Sequence, residues 1–285
     1  MNLKFPISLV GKRGGGVPAN ITTMPVYYAD MADGSGTTQV GPSNLAVVNT
    51  STNPSGAPDG AGSAVLPADG YFVRGGYANV LDMAGTTAYS MSVWSKFDEI
   101  PNAIAFKGQM VAYWGKINEE NFQISAGANS TSNLIYSPRK IPNAIAFKGQ
   151  MVAYWGKINE ENFQISAGAN STSNLIYSPR KTNPDINAGA IVAGEWYHTL
   201  ITWDYNEYKM YLNGQLIDTK TTTLDSLWLA NGTLTLGASY PLSDERYRFT
   251  GELSMFGMWR EVLTAEDALY MYNAGQGRRH NNISL

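Results

Sequence analysis

From Pro25 onward, apolar and β-branched residues come in short runs separated by clusters of Gly, Asn, Asp and Ser, a pattern of strands and turns. Tyr89-Ser90-Met91-Ser92-Val93-Trp94 alternates cleanly and predicts a strand with Tyr89, Met91 and Val93 on one face and Ser90, Ser92 and Trp94 on the other. Shorter runs at 26–28 and 71–73 read the same way, and 49–64 reads as a Ser/Asn/Gly/Pro loop. Residues 195–204 predict a long strand, and 208–212 with 215–219 flank Asn213-Gly214, a strong hairpin signal. Two further strands are expected at 233–237 and 249–259. The period then changes. Thr264-Ala265-Glu266-Asp267 resembles a capping box, Leu269 and Tyr272 fall three apart, and Gly275 is placed to stop one short helix.

Within this pattern lies a literal repeat: residues 100–140 and 141–181 are identical, 41 residues each. Solenoid units drift in sequence and come in threes or more, so two identical copies read as a recent duplication or an artefact of the sequence. Each copy predicts about four short strands, in the first at 103–107, 110–116, 121–125 and 132–136. An even number of antiparallel strands returns the chain in its original direction. One copy is therefore expected in the body of the fold and the other in a projecting, partner-binding lobe.

Composition narrows the classes. The 285 residues are 44% hydrophobic, enough for one large core. Charged residues reach only 15%, with 29 Gly and 13 Pro, as a strand-and-turn protein requires. The absence of cysteine excludes disulfides, thiolate metal sites and cysteine nucleophiles. A net charge of −3 argues against nucleic acid as a partner, and no apolar run approaches the roughly 20 residues of a membrane span. Residues 1–24, with Pro6, Lys12, Arg13 and three consecutive glycines, read as an N-terminal arm, not a signal peptide, with Lys12 and Arg13 as candidate assembly contacts. Residues 278–285 read as a basic polar tail in which Arg278 and Arg279 are solvated. There is no His-Glu-x-x-His, Gly-x-Ser-x-Gly or phosphate-loop motif, and His198, inside a strand, reads as structural.

Several motifs occur in an order that resembles a known family. Trp196-Tyr197-His198, Thr202-Trp203-Asp204, Tyr211-Leu212-Asn213-Gly214, Leu236-Gly237, Phe249-Thr250-Gly251-Glu252-Leu253, Leu263-Thr264-Ala265-Glu266 and Tyr272-Asn273-Ala274-Gly275 look like the ordered signatures of laminin-G-like, concanavalin-A-like lectin domains. Upstream, 32–38, 68–73 and 89–94 are similar to the family's opening strands. The resemblance covers residues 25–277. It implies an all-β, two-sheet antiparallel jelly-roll sandwich with one short C-terminal helix, but not a ligand, because the fold serves many functions.

The fold includes glucanases whose strand carries Glu-x-Asp-x-x-Glu, placing acid and nucleophile about 5–5.5 Å apart. No such strand occurs here, so the chain is read as non-catalytic, with glycoside hydrolysis as an alternative. The resemblance also implies calcium as the one cofactor to consider, with Asp69, Asp204 and Asp244 as candidate ligands. Aromatic rings stack on sugars, which makes Tyr113, Trp114, Tyr154, Trp155 and Trp228 the candidate ligand-binding residues, while Trp94, Trp196, Trp203 and Trp259 are expected in the core. The expected function is surface recognition by a displayed structural protein. It would be a virion decoration or tail component of a bacteriophage, located on the virion surface or extracellular after lysis, and would bind a host or environmental glycan. A capsid or tail protein met through the arm and a second copy of the chain are the other expected partners. A purely structural capsid or tail assembly protein without a glycan ligand is the second reading.

Overall fold

The computed structural model describes residues 24–41, 44–74, 87–98, 109–115, 121–126, 150–156, 162–167, 174–177, 186–221, 233–238 and 249–279. The strands in chain order are β1 (Tyr27–Ala29), β2 (Ala46–Val48), β3 (Ser51–Asn53), β4 (Ser63–Leu66), β5 (Tyr71–Arg74), β6 (Ala88–Phe97), β7 (Gln109–Gly115), β8 (Asn121–Ala126) and β9 (Gln150–Gly156). They continue with β10 (Asn162–Ala167), β11 (Asn174–Tyr177), β12 (Ile186–Ala190), β13 (Trp196–Asp204), β14 (Glu207–Leu212), β15 (Gln215–Thr221), β16 (Thr233–Leu236) and β17 (Gly251–Trp259), and α1 (Ala265–Tyr272) follows. One sheet runs β15-β14-β13-β6-β17-β4-β3, with β1 also paired to β17; the other runs β10-β9-β8-β7-β16-β5-β2. This is the two-sheet antiparallel sandwich with a short C-terminal helix expected from the sequence.

The alternation in β6 sorts its side chains as expected. Tyr89, Met91, Val93 and Phe97 enter the main core with Ile201, Trp203, Met210, Phe256 and Met258. The Ser90, Ser92 and Trp94 face is buried too, because α1 and the segments around it cover the outside of the first sheet. Ser90 Oγ donates to the Glu261 carbonyl at 2.6 Å and accepts from the Leu263 N–H at 2.8 Å, so the small polar positions receive the returning chain. Asn213 and Gly214, at φ 52° and 75°, make the left-handed two-residue turn of the β14–β15 hairpin.

Thr264 caps α1 in a reciprocal capping box with Asp267, as the sequence reads. The buried face differs from the expected one. Ala268, Tyr270 and Met271 are buried, while Leu269 is 45% exposed. The helix stops at left-handed Asn273 (φ 48°), before Gly275, because asparagine tolerates that conformation. The expected loop 49–64 holds β3, an edge strand on β4, and 32–38 is a turn instead of a strand, with Asp33 Oδ1 accepting from Ser35 N–H and Oγ.

Arg278 and Arg279, expected in solvent, are built into the sandwich. Arg279 is 5% exposed: its Nε and Nη2 donate to the two Asp59 carboxylate oxygens at 2.6 and 3.1 Å, and Nη2 also donates to the Gly62 carbonyl at 2.7 Å. Arg278 lies over the Tyr270 ring, 4.4 Å from its centroid. A buried guanidinium needs such partners, and the N-terminal loops supply them.

The repeat lies in the second sheet. β7 and β8 come from the first copy and β9 and β10 from the second, while β11, also from the second, pairs with β12 in a separate two-stranded sheet. The expected separate lobe is replaced by a sheet extension, in which the second hairpin occupies the outer edge beyond β8. The expected strands at 103–107 and 132–136, the arm at 1–23 and His280 lie outside the described residues.

Candidate functional site

The most concentrated set of polar and aromatic groups stands at one end of the first sheet, where β6 ends, β13 and β17 begin and the β3–β4 connection passes. Glu252, opposite Lys96 in the ladder, is nearly buried and ion-paired to Lys96. Ser63 Oγ donates to Glu252 Oε2, and Asn53 Nδ2 donates to the same oxygen at 3.2 Å. Lys96 Nζ also stands over the half-buried Trp196 ring, 5.6 Å from its centroid. Trp196 Nε1 donates to the Gly56 carbonyl at 2.9 Å and its ring meets Trp94 edge to face at 6.5 Å. Gly251 opens β17 at φ 148°, where a Cβ would run into the Lys96 carbonyl; glycine is what lets β17 approach β6 at this rim.

Exposed Asp98 completes the group, its N–H donating to the Thr250 carbonyl at 3.1 Å. Burial and then the Glu252 carboxylate push the Asp98 carboxyl up from its ordinary value, against the pull of Lys96. Chemically, the rim offers one indole, one cation and two carboxylates, with Trp196, Lys96 and Glu252 held by neighbouring strands.

The interior behind the rim is a different environment. His198 is fully buried, pairs through Nε2 with Ser92 Oγ at 2.9 Å and lies against Trp94 at 5.1 Å. Its Nδ1 finds no hydrogen-bond partner among the described residues, and burial pushes its pKa down to about 3. His198 is thus a neutral packing residue, as read from the sequence. The adjoining cavity, bounded by Tyr28, Ser92, Trp94, His198 and Met255, has a volume of about 10 Å³, room for about one water at most.

Trp94, Trp203 and Trp259 are in the core as expected, whereas Trp196 reaches the surface. Tyr113 and Trp114 lie in β7 opposite Thr235 and Leu234 of β16, and Tyr154 and Trp155 hold the equivalent places in β9. Trp228, Asp244, Lys12 and Arg13 lie outside the described residues. Asp69 accepts from Asn49 Nδ2 at 2.9 Å, and Asp204 Oδ1 accepts from the Asn206 and Glu207 N–H groups at 2.9 and 3.0 Å. Asp69 thus ties two loops together and Asp204 holds the β13–β14 turn, and no cluster of three or more His, Cys, Asp or Glu fit for a metal forms among the described residues.

Sequence reasoning passed over Glu252, Lys96 and Asn53. A signal for Glu252 was present: a carboxylate in the long apolar run 249–259 must find a partner when that run is buried. The turn after β13 carries a further exposed aromatic, Tyr205, 47% exposed at the opposite end of the sheet from Trp196.

Among solved structures, the fold is similar to domain 4 of a GH43 extracellular arabinanase from Geobacillus stearothermophilus, solved in complex with arabinotriose (TM-score 0.54, 14% identity, 87% of this chain and 98% of that one). It is also similar to the binding domains of botulinum neurotoxin serotype G (TM-score 0.55, 13% identity) and serotype D (TM-score 0.54, 14% identity), each over 88% of this chain and 51% of the other. The chain spans about half the length of those toxin domains. No curated protein sequence matches the chain. Residues 142–268 match the laminin-G type 3 family model of the concanavalin A-like lectin/glucanases superfamily.

Proposed function

We propose that this chain is a non-catalytic recognition domain that binds glycans at the Trp196 end of the first sheet. The observation that carries the reading is the rim itself: a half-buried indole beside Lys96, Glu252, Asn53 and Asp98, all held in place by neighbouring strands. An indole offers an apolar surface to the C–H face of a pyranose or furanose ring, while fixed charged groups take its hydroxyls. The similarity to a domain solved with arabinotriose supports sugar as the ligand class. The setting we favour remains a displayed virion component holding a host or environmental glycan, with the arm at 1–23 as the docking segment.

The test is binding of the full chain to a glycan panel that includes arabinotriose. Lys96→Met and Trp196→Phe should each weaken binding at least about tenfold, the loss of roughly one good contact. Tyr205→Ala, at the far end, should leave it unchanged. Binding that survives both rim variants and is lost with Tyr205→Ala would overturn the site. Absence of glycan binding would leave the assembly reading, tested by whether deleting 1–23 abolishes association with a particle.

One observation favours a second reading, glycoside hydrolysis: Asp98, just past the end of β6, and Glu252, on the neighbouring β17, are carboxylates at one rim, with Asp98 pushed toward the protonated form. Against it, the Glu252 carboxylate is already occupied by Lys96, Ser63 and Asn53 and has no free oxygen turned toward a substrate's reacting carbon. Release of reducing sugar that is lost in Asp98→Asn would replace recognition by catalysis.

A further inference from the structure

The second sheet has one position beside β16 and two identical hairpins able to fill it. In the structure β7 occupies that position, with Gly115, Trp114, Tyr113 and Ala112 opposite Thr233, Leu234, Thr235 and Leu236. The same four residue types recur in the same order in β9, as Gly156, Trp155, Tyr154 and Ala153. The two hairpins also fold alike, Trp114 opposite Phe122 in one and Trp155 opposite Phe163 in the other. Between the hairpins the pairing is sparse: Ser125 with Val152, and Ile124 with Ile165. The family match picks out the other copy. It begins at residue 142 and so takes the second hairpin as the one continuous with β12 through α1.

We infer that β7–β8 and β9–β10 are interchangeable occupants of the single position beside β16, so that the second sheet exists in two arrangements of nearly equal energy. Every ladder contact to β16 is the same whichever copy makes it, and the remaining hairpin takes the outer edge in either case. Chain length permits the exchange. It moves each hairpin by two strand positions, about 10 Å. Eleven residues (98–108) join β6 to β7 and six (168–173) join β10 to β11, and extended chains of those lengths reach roughly 36 and 20 Å. The sheet already holds both hairpins, β7–β8 from the first copy and β9–β10 from the second, and the exchange would only reverse which of them meets β16.

Proline substitution tests the exchange by complementation. Ala112 sits between Leu236 and Ile124 in the ladder, and Ala153 is its counterpart. Proline there removes a ladder donor and is excluded from a central strand. If either copy can serve, A112P and A153P each remove one of two equal folded arrangements, a twofold loss that lowers the thermal midpoint by only about 1–2 °C. The double variant has no intact hairpin to offer and should fall by at least about 8 °C. The inference is overturned if A112P alone falls as far as the double variant while A153P leaves the midpoint unchanged, or if the double variant falls no further than the singles.

A second measurement does not depend on tolerance of proline. The chain has no cysteine, so T233C can be paired with G115C or, separately, with G156C under mild oxidation. Directly opposed strand residues lie within disulfide reach. Intrachain crosslinks in both pairs, with yields within about tenfold of each other, support exchange. A crosslink confined to the G115C pair, or a G156C crosslink found only between chains, overturns it.

Discussion

Lowering the pH should weaken this fold through His198 before the carboxylates matter. The ring is fully buried, its Nε2 is paired with Ser92 Oγ and its Nδ1 faces no partner among the described residues. A charged imidazole would put two N–H donors where one acceptor exists, and burial holds the folded pKa at about 3 against an ordinary 6.5. The folded value lies below the unfolded one, so protons bind the unfolded chain preferentially. The stability is fully present above pH 6.5 and is lost progressively as pH falls from 6.5 toward 3. At about 1.4 kcal/mol per pH unit, the loss between pH 7.5 and 5.0 is about 2 kcal/mol, a large share of a typical net stability. Urea unfolding at the two pH values, in parent and His198→Gln, measures it. Asp98 acts with the opposite sign, since a carboxyl pushed up in the fold gains stability as it protonates, so the comparison between variants isolates the histidine. The chain has only one other histidine, and His280→Gln should keep the full slope. A parent that loses less than about 0.5 kcal/mol over this range, or an equal loss in His198→Gln, would refute the reasoning.

Two further outcomes follow from the packing. Arg279→Ala leaves Asp59 without its guanidinium and should cost about 3 kcal/mol, read as a lower urea midpoint; an effect within the range of ordinary surface substitutions would mean that the C-terminal closure is decorative. Gly251→Ala forces a side chain into φ 148° against the Lys96 carbonyl and should cost roughly 1–3 kcal/mol while also weakening glycan binding, because Glu252 and Lys96 would be displaced together.

What the sequence revealed of the fold depended on local signals. The β14–β15 hairpin, the alternation of β6 and the Thr264 cap were all legible, because each is decided by a few adjacent residues whose conformational preferences agree with the final structure. The burial of both faces of β6 was not, since period two assigns residues to sides without saying what covers each side. The basic end failed for the same reason: Arg279 is solvated or buried according to whether Asp59, 220 residues away in sequence, lies beside it. The rim had the same difficulty. Trp196 and Asp98 were visible as residues, but Glu252, Lys96 and Asn53 became a group only when β17, β6 and β3 were brought side by side. The placement of the repeat is different in kind, because two identical segments carry identical preferences and no local rule ranks one above the other.

The pairing of β1 with β17 has a consequence for synthesis. Tyr27 lies opposite Met258 and Arg279 grips the loop at Asp59, so the first strand and the Asp59 loop wait for partners more than 200 residues later in the chain. At 5–20 residues per second, the 231-residue separation of Tyr27 and Met258 corresponds to roughly 10–45 s of synthesis. Through that interval β2 and β3 can pair with β5 and β4, but β1 and its buried tyrosines lack the β17 ladder. The first sheet is complete only once β17 and Arg279 have left the ribosome, so a chain truncated before Arg279 would keep β17 but lose the contact that fastens it to the N-terminal loops.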